Sequence, residues 1–410
     1  MKLKKIYPWV VVALLWVVAL LNYMDRQMLS TMQGAMKADI AELNKAEAFG
    51  ALMAVFLWIY GIVSPFAGVV ADRFSKKWLV VISLFVWSAV TFLMGFATTF
   101  HQLYVLRALM GISEALYIPS ALTLIADWHT GKSRSLAIGI HMTGLYTGQA
   151  IGGFGATVAA AFSWEETFHG FGLIGIAYSI ILILCLRDNP ANKIKQPVSP
   201  QPKRNDNTLR GLATIFSNWA FWVILFYFTA PSLPGWAVRN WLPTLFAQDL
   251  DIPMSNAGPV STITIAFSSF IGVIVGGILS DRWVQRNIRG RIYTSAIGLS
   301  LTIPALVFLG FGHSLTAVVS AGLCFGIGYG MFDANNMPIL CQIISARYRA
   351  TAYGLMNMTG VFAGALITQI LGRWSDGGEL GLGFALLGGI VALAVILQLA
   401  CLRPTTDNKE

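Results

Sequence analysis

GVVADRFSKKW, from Gly68 to Trp78, and GILSDRWVQR, from Gly277 to Arg286, decide how this chain is organised. Each sets a glycine, three residues and then Asp-Arg at the polar end of a long apolar run: Asp72-Arg73 in the first, Asp281-Arg282 in the second. The second copy follows about half of the 410-residue chain later. Two homologous halves are the natural reading of such an internal echo.

The surroundings of both copies are apolar. Hydrophobic residues make up 56% of the chain and charged residues 11%, against about 25% charged in a typical soluble domain. Mean hydropathy is +0.66. A soluble globule cannot hide that much apolar surface, and 25 Phe with 13 Trp exclude disorder. Apolar runs fall at 7–34, 46–71, 78–99, 102–127, 134–161 and 167–186, then at 215–247, 256–280, 292–312, 315–345, 350–374 and 380–402. Each is close to or above the roughly 20 residues that cross a bilayer as a helix. The runs are continuous, which argues against a porin-type barrel with its alternating strands. The fold expected is an all-α membrane protein of twelve transmembrane helices in two pseudo-symmetric six-helix halves. Residues 1–187 form the N-terminal half, 188–212 a Pro-, Asn- and Lys-rich cytoplasmic linker, 213–403 the C-terminal half and 404–410 a tail. The N-terminal run lacks a small-residue cleavage site and reads as an uncleaved first span.

Orientation follows from Lys and Arg, which favour cytoplasmic loops. With the N-terminus inside, all but six of the 28 fall on the inner side; the exceptions are Arg26, Arg107, Arg239, Lys37, Lys45 and Arg373. The outer loops carry Asp39, Glu42, Glu47, Glu165, Glu166, Asp249 and Asp251 instead. Both termini and the linker are therefore expected in the cytoplasm, and the chain as a multi-pass protein of the cell (inner) membrane, with lipid around it. The net charge of +9 is a matter of topology, not of nucleic acid.

Gly68-x-x-x-Asp72-Arg73-x-x-Lys76-Lys77 resembles the loop signature between the second and third helices of the major facilitator superfamily. A narrower resemblance rests on Asn22-Tyr23-Met24-Asp25-Arg26, on Leu106 to Ala115, on Trp241-Leu242-Pro243 and on Gly354-Leu355-Met356-Asn357. Together these look like the anion:cation symporter branch, whose members carry hexuronates, galactonate and sialic acid. Spinster-type lysolipid transporters share parts of the first two motifs. The resemblance implies alternating access around a central cavity, with proton-coupled uptake of an organic acid. It also makes Tyr23, Tyr60 and Asn357 lining residues.

Charges within spans point to the same chemistry. They cost about 2.5–3.5 kcal/mol each on insertion scales, so their default reading is a functional pathway. Six are kept: Asp25, Arg26, Arg107, Glu114, Arg239 and Asp333. Asp25 lies about 9 Å outward of the centre of span one, and Arg107 about 10 Å outward of the centre of span four. Asp25, Arg26 and Arg107 are thus expected at one depth, with one net positive charge for an anion. Arginine suits this because its planar fork matches a carboxylate. Glu114, near the midplane and two turns from Arg107, is expected to stand alone and to carry the coupled proton. Asp25 and Asp333 are further carboxyls for coupling, and sodium is the alternative ion. Asp333, Asn335 and Asn336 precede Pro338, so span ten is expected to break there and line a cavity. Span seven is expected to bend at Pro231, Pro234 and Gly235, with Arg239 beyond it. Gln149 and Asn336 join the substrate-binding set. Asp72-Arg73 and Asp281-Arg282 are expected to latch the halves together in the outward-open state.

Cys185, Cys324, Cys341 and Cys401 lie in apolar runs outside any CxxC or Cys/His cluster, so no metal or cofactor is expected. No nucleotide loop, GxSxG or HExxH occurs. The expected activity is transport rather than catalysis, by a chain working as a monomer. A membrane enzyme, the rival class, would need a catalytic cluster beyond the six charges.

Overall fold

The computed structural model describes residues 2–129, 133–189, 216–217, 219–344 and 349–404. From residue 190 onward the expected linker lies outside them. Every regular element among the described residues is helical. In chain order the spans are α1 (Lys2–Leu29), α2 (Ala46–Arg73), α3 (Lys76–Met94), α4 (Phe100–Trp128), α5 (Arg134–Gly152, resumed at Gly155–Ala161), α6 (Trp164–Cys185), α7 (Trp219–Asp249), α8 (Met254–Val284), α9 (Gly290–Phe311), α10 (Leu315–Ile343), α11 (Arg349–Asp376) and α12 (Leu380–Cys401). All but α5 are long and apolar enough to qualify as membrane spans on hydropathy alone, eleven in total among the described residues. His141, Thr143, Thr147 and Gln149 dilute α5.

Local chemistry sets several helix ends. Thr99 and Gln102 form a capping box at the start of α4, and the Ser163 hydroxyl accepts from the Glu166 amide at the start of α6. Such caps satisfy amides that have no partner within the helix. At the start of α3, Asp188 accepts from the Ser75 hydroxyl and, at 2.9 Å, from the Lys77 amide. α7 stays helical through Pro231, Pro234 and Pro243, which membrane helices tolerate when neighbours satisfy the freed backbone. α4 and α10 do break, at Leu116 and at Ala334–Asn335.

The chain clusters into two units: Met1–Asn44 with Val55–Arg204, and Lys45–Ala54 with Asn205–Glu410. In the first, α5 lies directly on α1. A Cβ at Gly148 would fall 2.2 Å from the Leu20 carbonyl oxygen, so only glycine permits that approach, as in other close membrane-helix pairs. In the second, the opening turns of α2 are held by α11 and α7. Asp376 accepts from the Ala46 and Glu47 amides at 2.7 and 2.9 Å, Arg373 bonds Glu47 at 2.6 Å, and Phe49 meets the Trp241 ring edge-on.

Candidate functional site

The charged residues of the first unit meet on α1 and α4, with α2 and α3 completing the walls. Arg26 Nε donates to Glu114 Oε2 at 2.5 Å, and Asn22 Nδ2 donates to the same oxygen at 2.8 Å. Asn22 and Arg26 are four residues apart and so share one face of α1. Glu114 is fully buried and Arg26 is 13% exposed. The Arg26 guanidinium is walled by aromatic rings, with its carbon 5.2 Å from the centre of Tyr23 and 4.8 Å from those of Phe56 and Tyr60. Arg107 lies 4.8 Å from the same Phe56 ring and donates to Met110 Sδ at 3.1 Å. Asp25 accepts from the Thr91 hydroxyl at 2.7 Å, and that hydroxyl also reaches the Trp87 carbonyl at 3.0 Å.

The expected convergence of Asp25, Arg26 and Arg107 is met, but Glu114 does not stand alone: Arg26 is its ion-pair partner. Depth along each helix misled here. Cα–Cβ bonds tilt toward a helix's own N-terminus. Because α1 and α4 run antiparallel, Arg26 leans toward the midplane and Glu114 leans outward to meet it. The net positive charge expected from three residues becomes zero once Glu114 joins. Even so, several polar atoms are left over. Arg26 Nη2, Arg107 Nε, Glu114 Oε1 and Asn22 Oδ1 are buried without a hydrogen-bond partner among the described residues. Buried polar groups are rarely left so. Four such atoms in one cluster form a place where a ligand with acceptors and donors gains directly.

Of the other expected residues, Tyr23 and Tyr60 belong to this cluster. Gln149 is buried on α5. Asn22, Phe56, Thr91 and Met110 were missed as site residues. The four-residue step from Asn22 to Arg26, and from Phe56 to Tyr60, was the available signal; Thr91 gave none beyond a hydroxyl in an apolar run.

The second unit holds a largely neutral network. Tyr227 bonds Ser295 at 2.7 Å and donates to Asn336 Oδ1 at 3.2 Å, and Asn336 Nδ2 donates to Asp333 Oδ1 at 3.3 Å. Asp333 is exposed, at the helix break expected for it. Arg239 stacks 5.2 Å from the centre of Trp236. Asn357 is half-buried on α11. Asp281, exposed, pairs with Arg291 of the same unit at 3.4 Å, and Arg282 is exposed. The Asp72 and Arg73 side chains lie outside the described residues. No group of three or more metal-ligating side chains forms among the described residues.

Among known proteins, the chain is 22% identical to a hexuronate transporter of Bacillus subtilis, over 96% of this chain and 94% of that one. It is 28% identical to a sphingosine-1-phosphate transporter of Mus musculus, over 84% of this chain and 65% of that one. A solved bacterial homologue of the human lysosomal transporter Spinster, inward-facing and occupied, superposes with a TM-score of 0.79 at 20% identity and 96% coverage of both chains. The family model of the Major Facilitator Superfamily matches residues 15–368. With its helical fold, the chain belongs to the Major Facilitator Superfamily and is a transporter, not an enzyme.

Proposed function

We propose that this transporter brings a small organic anion, of the sugar-acid class that includes hexuronates, aldonates and sialic acid, into the cytoplasm together with a proton. One observation carries the reading: a buried arginine, Arg107, and a half-buried one, Arg26, in one aromatic-walled cluster, with guanidinium nitrogens left over. A substrate carboxylate takes those nitrogens in the bidentate geometry that arginine favours. In doing so it competes with Glu114 for Arg26, and the released carboxyl takes the proton, with Asp25 beside it as the next acid. Tyr23, Tyr60 and Gln149 serve the hydroxyls of the substrate. The hexuronate carrier among the relatives supports this class.

The chain works as a monomer in the cell (inner) membrane, with both termini and the 188–212 linker cytoplasmic and the halves 1–187 and 213–403 alternating access. Asp72-Arg73 and Asp281-Arg282 act at the inner helix ends as latches that set the rate of that alternation. The test is uptake into proteoliposomes of labelled glucuronate, galactonate and sialic acid under an imposed pH gradient, then under a sodium gradient. Accumulation driven by the pH gradient is expected; accumulation driven by sodium alone overturns the coupling.

One observation favours a second reading, transport of an amphipathic lipid: the sphingosine-1-phosphate carrier is the more similar of the two relatives in identity. A lysolipid that competes with uptake while no sugar acid is accumulated would decide for it.

A further inference from the structure

The internal repeat extends beyond the Asp-Arg loops into the charged spans. In α4, Glu114-Ala115-Leu116-Tyr117-Ile118-Pro119 runs from an acid to a proline five residues on; in α10, Asp333-Ala334-Asn335-Asn336-Met337-Pro338 does the same. Both helices break directly behind the acid: the first segment of α4 ends at Ala115 and that of α10 at Asp333. Proline causes this, since its ring clashes with the carbonyl four residues earlier, here Ala115 and Ala334. The opening spans match as well. Arg26 stacks on the aromatic ring three residues before it, Tyr23, at 5.2 Å; Arg239 stacks on Trp236, also three residues before it and also at 5.2 Å. Arg239 lies within electrostatic reach of Asp333. Each unit thus has an arginine on its first span, held over an aromatic ring, and an acid at the break of its fourth.

We propose that Arg239 and Asp333 are a second proton-coupling pair, related to Arg26 and Glu114 by the internal repeat, so that each transport cycle moves one proton at Asp333 besides that of the first unit. The proposal rests on the proton-symport reading above. The groups facing Asp333 are Arg239 of α7, Asn336 of its own helix and, through Asn336, the Tyr227 hydroxyl of α7. All can serve either form. The Asn336 amide donates to the carboxylate and Arg239 acts on it through its charge, so a proton taken by Asp333 removes the charge that Arg239 faces, as Arg26 is freed from Glu114. Asp333 keeps exposed surface whereas Glu114 has none, so the second acid is the less enclosed of the two.

Steady-state accumulation tests this without depending on rates. Proteoliposomes of the full chain are held at zero membrane potential and the pH gradient is varied. The probe is labelled glucuronate, galactonate or sialic acid, whichever the wild type accumulates. Each coupled proton then contributes about a tenfold accumulation per pH unit. Asp333→Asn should lower the slope by about one decade per pH unit, and Asp333→Glu should restore it. An Asp333→Asn carrier that keeps counterflow but has lost all gradient-driven accumulation also supports the pair, because its cycle stalls without the proton. An unchanged slope in Asp333→Asn overturns the pair, as does parallel loss of counterflow and accumulation in both variants. A wild type with no slope sinks proton symport itself, so the two failures are distinguishable.

Discussion

The acids of the two units differ in how tightly they are held. Glu114 is fully buried, bonded to Arg26 at 2.5 Å and to Asn22 at 2.8 Å. Asp333 is exposed, and its hydrogen bond to Asn336 is longer, at 3.3 Å. The residues at matching repeat positions explain part of this: where α1 has Asn22, four residues before its arginine, α7 has Gly235. Gly235 cannot reach an acid, and its missing side chain instead admits the Tyr329 ring, whose hydroxyl would lie 2.4 Å from a Cβ there. One repeat spends its position on an amide that fixes the acid, the other on packing. The two units therefore share the charges and differ in the neutral groups around them.

The largest expected effect falls on the tighter unit. Arg26→Lys and Arg107→Lys keep the charge but lose the planar fork, and in Arg26→Lys the buried Glu114 also loses its matched partner. A charge-assisted hydrogen bond contributes about 1.5–3 kcal/mol, so substrate affinity should fall by about ten- to 100-fold, with Arg239→Lys milder. Binding of the labelled acid in detergent checks this. Near-normal affinity in Arg107→Lys removes it from the anion site.

Glu114→Gln comes next. It imitates the permanently protonated acid, so uptake driven by a pH gradient should fall by more than about tenfold. Counterflow needs no net proton release and should survive to a substantial extent. If Glu114 were only a helix staple, both activities would fall together. A variant that keeps the full wild-type accumulation per pH unit would pass the coupling role to Asp25.

Most of the fold was legible because a bilayer demands it. The spans follow from the need to satisfy backbone groups inside the helix, and the break at Asp333 followed from its proline. The matching break at Leu116 was not read, because Leu116, Tyr117 and Ile118 leave the run apolar where Asn335 and Asn336 interrupt it. At the site, the charged residues were legible, but Glu114 was expected to stand alone and the structure pairs it with Arg26. Depth is one coordinate; the meeting of Arg26 with Glu114 depends on side-chain tilt across antiparallel helices, and the role of Phe56 on a third helix. Neither leaves a pattern along one chain.

A gentler probe compares accessibility. A water-soluble carbodiimide reacts with acids that water can reach. Asp333 should be modified at least about tenfold faster than Glu114 in the wild type, following the difference between an exposed group and a fully closed one. Peptide mapping by mass spectrometry reads both sites at once. Saturating substrate should narrow the gap if it competes for Arg26 and opens Glu114. Equal rates in the free carrier would mean that the closed and open pairs interchange quickly, and the contrast between the units would then be one of the moment, not of design.

The smallest effect is expected at the second unit's inner end. Asp281 is exposed and its partner Arg291, at 3.4 Å, belongs to the next helix of the same unit. An exposed pair of this kind contributes about 0.2–1 kcal/mol at most. Asp281→Asn should therefore leave the unfolding temperature of the purified carrier nearly unchanged. If Asp281 also latches the inner helix ends, the substitution biases the carrier toward inward-facing states. A cysteine introduced in the outer vestibule would then react more slowly with a membrane-impermeant maleimide, and uptake would slow by about two- to threefold with little change in half-saturation. Affinity is spared because an inner helix end lies about one bilayer half-thickness, roughly 15 Å, from the midplane, away from the anion site. Unchanged cysteine reactivity, with unchanged uptake, would leave Asp281 as a local tie to Arg291 and remove one half of the latch.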